Sequence, residues 1–234
     1  MNLLVNGDFT DGQHVWQSNP TVQIPNSWDL FAYDQAGHMP ECYCMMMGPP
    51  QNIGPIWKVF TSYAQHEHAL GERVIVPVGA ELVFRASVWA WSSGQDDPMR
   101  SLNGGSYHTR IGIDPFGGME WRSPHIVWDY PPLGHKVMDT RDEHSVAAVA
   151  EAGVVTVWLS GRHEWALKHG DAYWFQASLE SLYTPEPPPT GDLAERVGHL
   201  EDDVDALSAA AYSFETRIQR IEDFLTSFAK NRES

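Results

Sequence analysis

Cysteine is scarce in this chain: Cys42 and Cys44 are the only two in 234 residues. One residue apart, they are too close for an ordinary disulfide, and two thiols cannot complete a tetrahedral zinc site alone. They read as free thiols on one face of a strand. No stretch approaches the roughly 20 apolar residues that cross a bilayer. The opening MNLLVNGDF has neither a basic start nor a long apolar run, so no secretory signal is expected. Positive charge is also short, with 15 Lys and Arg against 31 Asp and Glu and a formal charge of −16. Nucleic acids and anionic membranes need clustered cations, which removes both as partners. The glycine patterns of dinucleotide and phosphate loops are missing. So are a Gly-x-Ser-x-Gly elbow and any spacing that selects a carboxylate pair for glycoside hydrolysis. No catalytic residue is predicted, and the chain is not expected to be an enzyme.

Aromatic rings, by contrast, are plentiful: 10 Trp, 8 Tyr and 9 Phe. Over residues 1–183 the pattern is β. Residues 74–93 (VIVPVGAELVFRASVWAWSS) form two apolar runs split by a Pro/Gly turn. AGVVTVWLSG (152–161) is rich in β-branched residues, YWFQASLESLY (173–183) alternates, and TRIGIDPFGG (109–118) runs into a turn. Short strands punctuated by turns predict a single antiparallel β-sandwich. TPEPPPTGD (184–192) places four prolines in nine residues, which makes an extended spacer.

Beyond the spacer the period becomes seven. Leu193, Leu200, Leu207, Phe214, Ile221 and Phe228 fall at heptad position d. Val197, Val204, Ala211, Ile218 and Leu225 fall at a. A helix over 193–230, N-capped by Asp192 with Glu195 as its reciprocal partner, carries an apolar stripe that is buried only against copies of itself. The phrases RVGHLE and RIQRIE repeat at a distance of three heptads. Each Arg sits at g and each Glu at the following e, so Arg196 reaches Glu201, and Arg217 reaches Glu222, of a neighbouring helix. This phrase resembles the short trimerisation motif of parallel three-stranded coiled coils. A parallel homotrimer is predicted.

LLVNGDFTDG (3–12) followed by IPNSW (24–28) resembles the opening of jelly-roll modules of the carbohydrate-binding type. VPVGAELVFRASVWAWSS, IGIDPFGGMEWRSPHIVW, VTVWLSG and DAYWFQASLESLY follow in matching order. The resemblance implies an antiparallel jelly-roll β-sandwich. It also implies a structural calcium site. Here Thr10, Phe175 and Gln176 stand where such modules usually carry acids, leaving Asp8 and Asp171 as the carboxylates, so no bound cofactor is expected. Such modules stack sugars on aromatic rings. Trp89 and Trp91 share one strand face, as platform or as core. Trp121, Trp128, Tyr130 and Trp165 lie in loop-like sequence, with Trp165 in a hairpin loop. Asp96 and Asp97, beside Arg100, read as turn residues. The pair His66 and His68 in HEH supplies half a metal site at most. A trimer presents three heads, and linked sites gain avidity. The expected protein is a non-catalytic bacteriophage virion component, a fibre or decoration subunit made in the host cytoplasm. Its expected partners are itself, capsid or tail proteins and surface glycan. The alternative is a bacterial carbohydrate-binding protein, extracellular or at the cell surface.

Overall fold

Strand alternation sorts the side chains into an interior and two outer faces. The computed structural model describes residues 2–33, 39–48, 54–97, 106–129 and 141–182. These belong to the first of two units, Met1–Thr184 and Pro185–Ser234. Tyr130, the spacer 184–192 and the heptad segment 193–230 lie outside the described residues. What is predicted for them, including every trimerisation residue from Leu193 to Phe228, therefore rests on sequence.

Twelve strands are present among the described residues: β1 Gln13–Trp16, β2 Asn19–Pro25, β3 Asp29–Tyr33, β4 Glu41–Met45, β5 Ile56–Thr61 and β6 His66–Ile75, then β7 Glu81–Ser93, β8 Tyr107–Asp114, β9 Val127–Trp128, β10 Arg141–Val149, β11 Val154–His163 and β12 His169–Ser181. One sheet has the order β1-β2-β4-β5-β12-β7-β10 and the other β3-β6-β11-β8-β9. Within them, β5-β12-β7-β10 faces β6-β11-β8-β9, the eight-strand pairing of a jelly roll. The remaining four strands extend its edges. Apart from the β2–β4 bridge, every pairing is antiparallel. The predicted mainly-β sandwich is what forms.

Strand β7 shows how the core is made. Leu82, Phe84, Ala86, Val88 and Ala90 join the buried inter-sheet cluster, while Trp89 and Trp91 belong to a separate cluster. On β12, Ala172 and Trp174 point into the core. The register shifts between Phe175 and Ser178, and Gln176 lies at φ 54°. This extra residue is a β-bulge. After it the inward set passes from even to odd positions, Ala177 and Leu179, and one strand keeps both of its halves in the core. Cys42 and Cys44 both pack on the same core from β4. Their thiols are free, and burial pushes both up to about 12.

Strand β10 had no counterpart among the sequence-derived strands. It is an edge strand whose inward positions are His144, Val146 and Ala148, so its apolar signal is weak.

Candidate functional site

One end of the sandwich gathers the β5–β6 turn, the β11–β12 loop and the end of β7. Beneath it lies a chain of buried polar side chains. The Thr61 hydroxyl donates to the Ala64 carbonyl (2.8 Å), so its oxygen accepts from His66 Nδ1–H (2.9 Å). His66 Nε2 then accepts from the Tyr107 hydroxyl (2.8 Å). His163 Nδ1–H donates to the same Ala64 carbonyl (3.1 Å), and His163 Nε2 accepts from Ser92 (2.9 Å). Trp174 Nε1–H donates to His68 Nε2 (3.2 Å), which leaves the His68 Nδ1 proton without a partner.

This assignment uses neutral imidazoles throughout, and the environment agrees. Burial lowers His66 well below the usual range, with His68 and His163 adding repulsion. Burial likewise holds His68 at about 3 and His163 at about 4. The HEH pair is therefore part of a buried core network in which only His68 Nδ1 lacks a partner. No group of three or more His, Cys, Asp or Glu able to hold a metal occurs among the described residues.

The network converges on Ala64, directly after Tyr63. Tyr63 sits at φ 56°, a left-handed conformation costly for a bulky residue, yet its ring is 68% exposed. An Asn or Gly would fit this turn with less strain. Two further bonds fasten the turn to the β11–β12 loop. Tyr63 N–H donates to the Leu167 carbonyl (2.7 Å), and the Gln65 amide donates to the Glu164 carbonyl. Trp165, in that same loop, is 47% exposed. The loop is also tied to the turn after β7, where Lys168 and His169 both bind Asp96 (2.6 and 2.7 Å). Two exposed aromatic rings thus stand on stapled supports.

Beside Tyr63 opens a cavity of about 430 Å³ lined by Met39, Glu41, Phe60, Ser62 and Tyr63 itself. Phe60 continues onto the outer face of the seven-stranded sheet. There the register places Trp91, Asp171, Phe60 and Glu41 in one row across β7, β12, β5 and β4. Lys58 Nζ lies 4.0 Å from the Phe60 ring centre and 5.3 Å from that of Tyr173. The Tyr173 hydroxyl donates to Asp171 (3.2 Å). Burial raises the Asp171 carboxyl above the ordinary range.

The ring residues predicted from sequence do not form one surface. Trp89 and Trp91 lie on the outer face of the seven-stranded sheet, where Trp89 stacks on Phe175 (4.5 Å) and Trp91 on His169 (4.1 Å). At 3% and 7% exposure they are neither inter-sheet core nor an open platform. Trp121 and Trp128 pack with Trp158 against the opposite sheet. There Arg122 lies over the Trp121 ring (4.4 Å) and Arg110 over the Trp128 ring (4.0 Å). Asp8 and Asp171 are separated as well. Asp8 binds its own neighbour Thr10 (2.8 Å) beside a hollow lined by Arg85 and Gln176, while Asp171 sits mid-sheet between Phe60 and Trp91. Sequence reading missed Tyr63, Phe60 and Glu41. The available signal was an aromatic residue in TSYAQ, a stretch otherwise polar enough for a turn.

No protein-family model matches the chain, and no curated protein does. Among solved structures it is similar to a carbohydrate-binding module in complex with β-1,4-galactotriose (12% identity, 77% of this chain and 99% of that one, TM-score 0.49). It is similar to a cyclase from Fischerella sp. TAU in complex with 4-(1H-indol-3-yl)butan-2-one (11%, 78% and 98%, TM-score 0.49). It is also similar to the enzymatically active domain of tailspike protein 4 of bacteriophage CBA120 (9%, 77% and 21%, TM-score 0.48). These three differ in what they do, so the likeness assigns no activity to this chain.

Proposed function

We propose that the sandwich is a non-catalytic glycan-binding head, and that the heptad segment joins three such heads through a parallel coiled coil. The observation that carries the reading is the pair of exposed rings, Tyr63 and Trp165, on loops stapled to each other, with Tyr63 lining a cavity. A pyranose offers an apolar face to such rings and hydroxyls to polar neighbours, and Glu41 and Ser62 at the cavity supply acceptors and a donor. Pre-fastened loops lower the ordering cost of binding. Glycoside hydrolysis would need a second carboxylate facing Glu41 across the cleft, and the lining residues among those described include none. The setting we favour is a bacteriophage fibre or decoration subunit, supported by the unbroken heptads beyond a jelly-roll head. A bacterial polysaccharide-binding protein is the alternative, and it uses the same site.

The test is a glycan array probed with the full chain, followed by calorimetry on the strongest hit. Tyr63→Ala and Trp165→Ala should each weaken binding about tenfold, equivalent to ~1.4 kcal/mol. Their melting temperatures should change little, since both rings are exposed. Affinity indifferent to both substitutions would refute the site.

A further inference from the structure

The end of the sandwich opposite Tyr63 presents Ile75, Val78, Phe116, Val149 and Leu182, each between 47% and 87% exposed. They stand on turns and strand ends that hydrogen-bond one another. Val76 N–H donates to the Gly153 carbonyl (3.1 Å), and Gly79 N–H to that of Ala150 (2.8 Å). Glu151 and Ala152 N–H both donate to the Pro115 carbonyl (3.0 and 3.2 Å), and Leu182 N–H donates to that of Glu81 (2.8 Å). The five apolar tips therefore share one pole. Five large apolar side chains concentrated at one end of a soluble domain mark a contact surface.

We infer that this pole is where the heads of separate copies of the chain pack against one another. The inference rests on the self-association of the heptad segment proposed above. What identifies the occupant is the path of the chain. The last described residue, Leu182, belongs to this pole, and residues 183–192 are all that separates it from the first heptad position, Leu193. At ~3.1 Å per residue an extended proline spacer of that length reaches about 30 Å. Associated stalks thus hold the poles of different copies within tens of ångströms, an effective concentration in the millimolar range. At that concentration even a small apolar contact is occupied. The binding loops lie at the far end of the same strands, since β6 runs from the Tyr63 turn to Ile75 over 10 residues. At ~3.3 Å per residue the two ends are about 30 Å apart. Packing at the exit pole therefore leaves every Tyr63 and Trp165 open.

Cysteine cross-linking of the full chain tests this. Val78→Cys introduces a thiol at the exit pole, Ser62→Cys one at the loop pole, and the unsubstituted chain, whose own thiols are buried or half-buried, gives the background. Under mild oxidation Val78→Cys should link two chains of each trimer, with Ser62→Cys at background. Sedimentation of the same samples separates two failures. An oligomer in which Val78→Cys links no better than Ser62→Cys overturns the contact surface and leaves the stalk standing. A monomer overturns the stalk, and the contact surface with it.

Discussion

The two ends of this sandwich are built from the same strands but held in different ways. At the loop end, side chains from β5, β6, β7, β8 and β11 reach inward to secure one turn, and the Ala64 carbonyl receives two of them. At the exit end, the turns are joined chiefly by backbone hydrogen bonds. The difference follows what each end displays. The exit end shows apolar tips on turns of ordinary geometry, such as Gly79 at φ 81° beside Val78. The loop end holds a tyrosine in a conformation it would not choose alone, and such strain persists only where the surroundings over-determine it.

Acid should break the comparison most strongly. His66, His68 and His163 are neutral when folded and have lowered pKa values. The unfolded chain binds their protons below about pH 6.5. Their contribution is therefore complete above that pH and is lost as pH falls toward 4 and 3, by about 1.4 kcal/mol per pH unit for each group. Glu72 acts in the opposite sense. Burial raises it to about 7, its Oε1 accepts from Val5 N–H (2.8 Å), and its Oε2 has no partner. Its protonated form stabilises the fold below the unfolded value near 4.5, and that contribution is lost as pH rises toward 7. Burial also raises Asp171, which acts in the same sense as Glu72. With three imidazoles against two carboxyls, the net loss from pH 6 to pH 5 is about 1.4 to 2.8 kcal/mol, measured by urea unfolding at each pH. A flat profile would remove the neutral-imidazole network.

The next effect is that of His163→Leu. It removes one acceptor of the Ser92 hydroxyl and one of the two donors to the Ala64 carbonyl and should cost about 1.5 kcal/mol. Val78→Ser, at the exit end, should stay within about 0.5 kcal/mol in the dissociated chain. One change carries the opposite sign. Tyr63→Asn places a residue tolerant of positive φ in the turn and should stabilise the head by about 0.5 to 1 kcal/mol while weakening glycan binding. Chemical denaturation alongside calorimetry would show whether stability and affinity move apart as expected.

Much of the scaffold was legible in the sequence, because strand alternation and turn residues are local. Residues 74–93 resolve into the end of β6, a turn and β7, and 152–161 overlaps β11. The site was legible only in fragments. HEH spacing puts His66 and His68 on one face, but their environment comes from Tyr107, Ser92 and His163. The bond from His163 to Ala64 spans 99 residues of sequence. Trp89 and Trp91 share a face as their spacing requires, yet which face, and that His169 and Phe175 cover them, depends on cross-strand register. Tyr63 was invisible for a related reason. An exposed ring counts only when the loop beneath it is fixed, and the groups that fix it are distant in sequence.

The claim that Tyr63 and Trp165 form the binding surface is tested most directly by NMR titration of the full chain with its strongest array glycan, following the ten tryptophan indole N–H resonances. The account predicts that the Trp165 indole shifts while those of Trp121, Trp128 and Trp158, on the opposite sheet, stay in place. Saturable shifts confined to Trp121 and Trp128, with Trp165 unmoved, would contradict it.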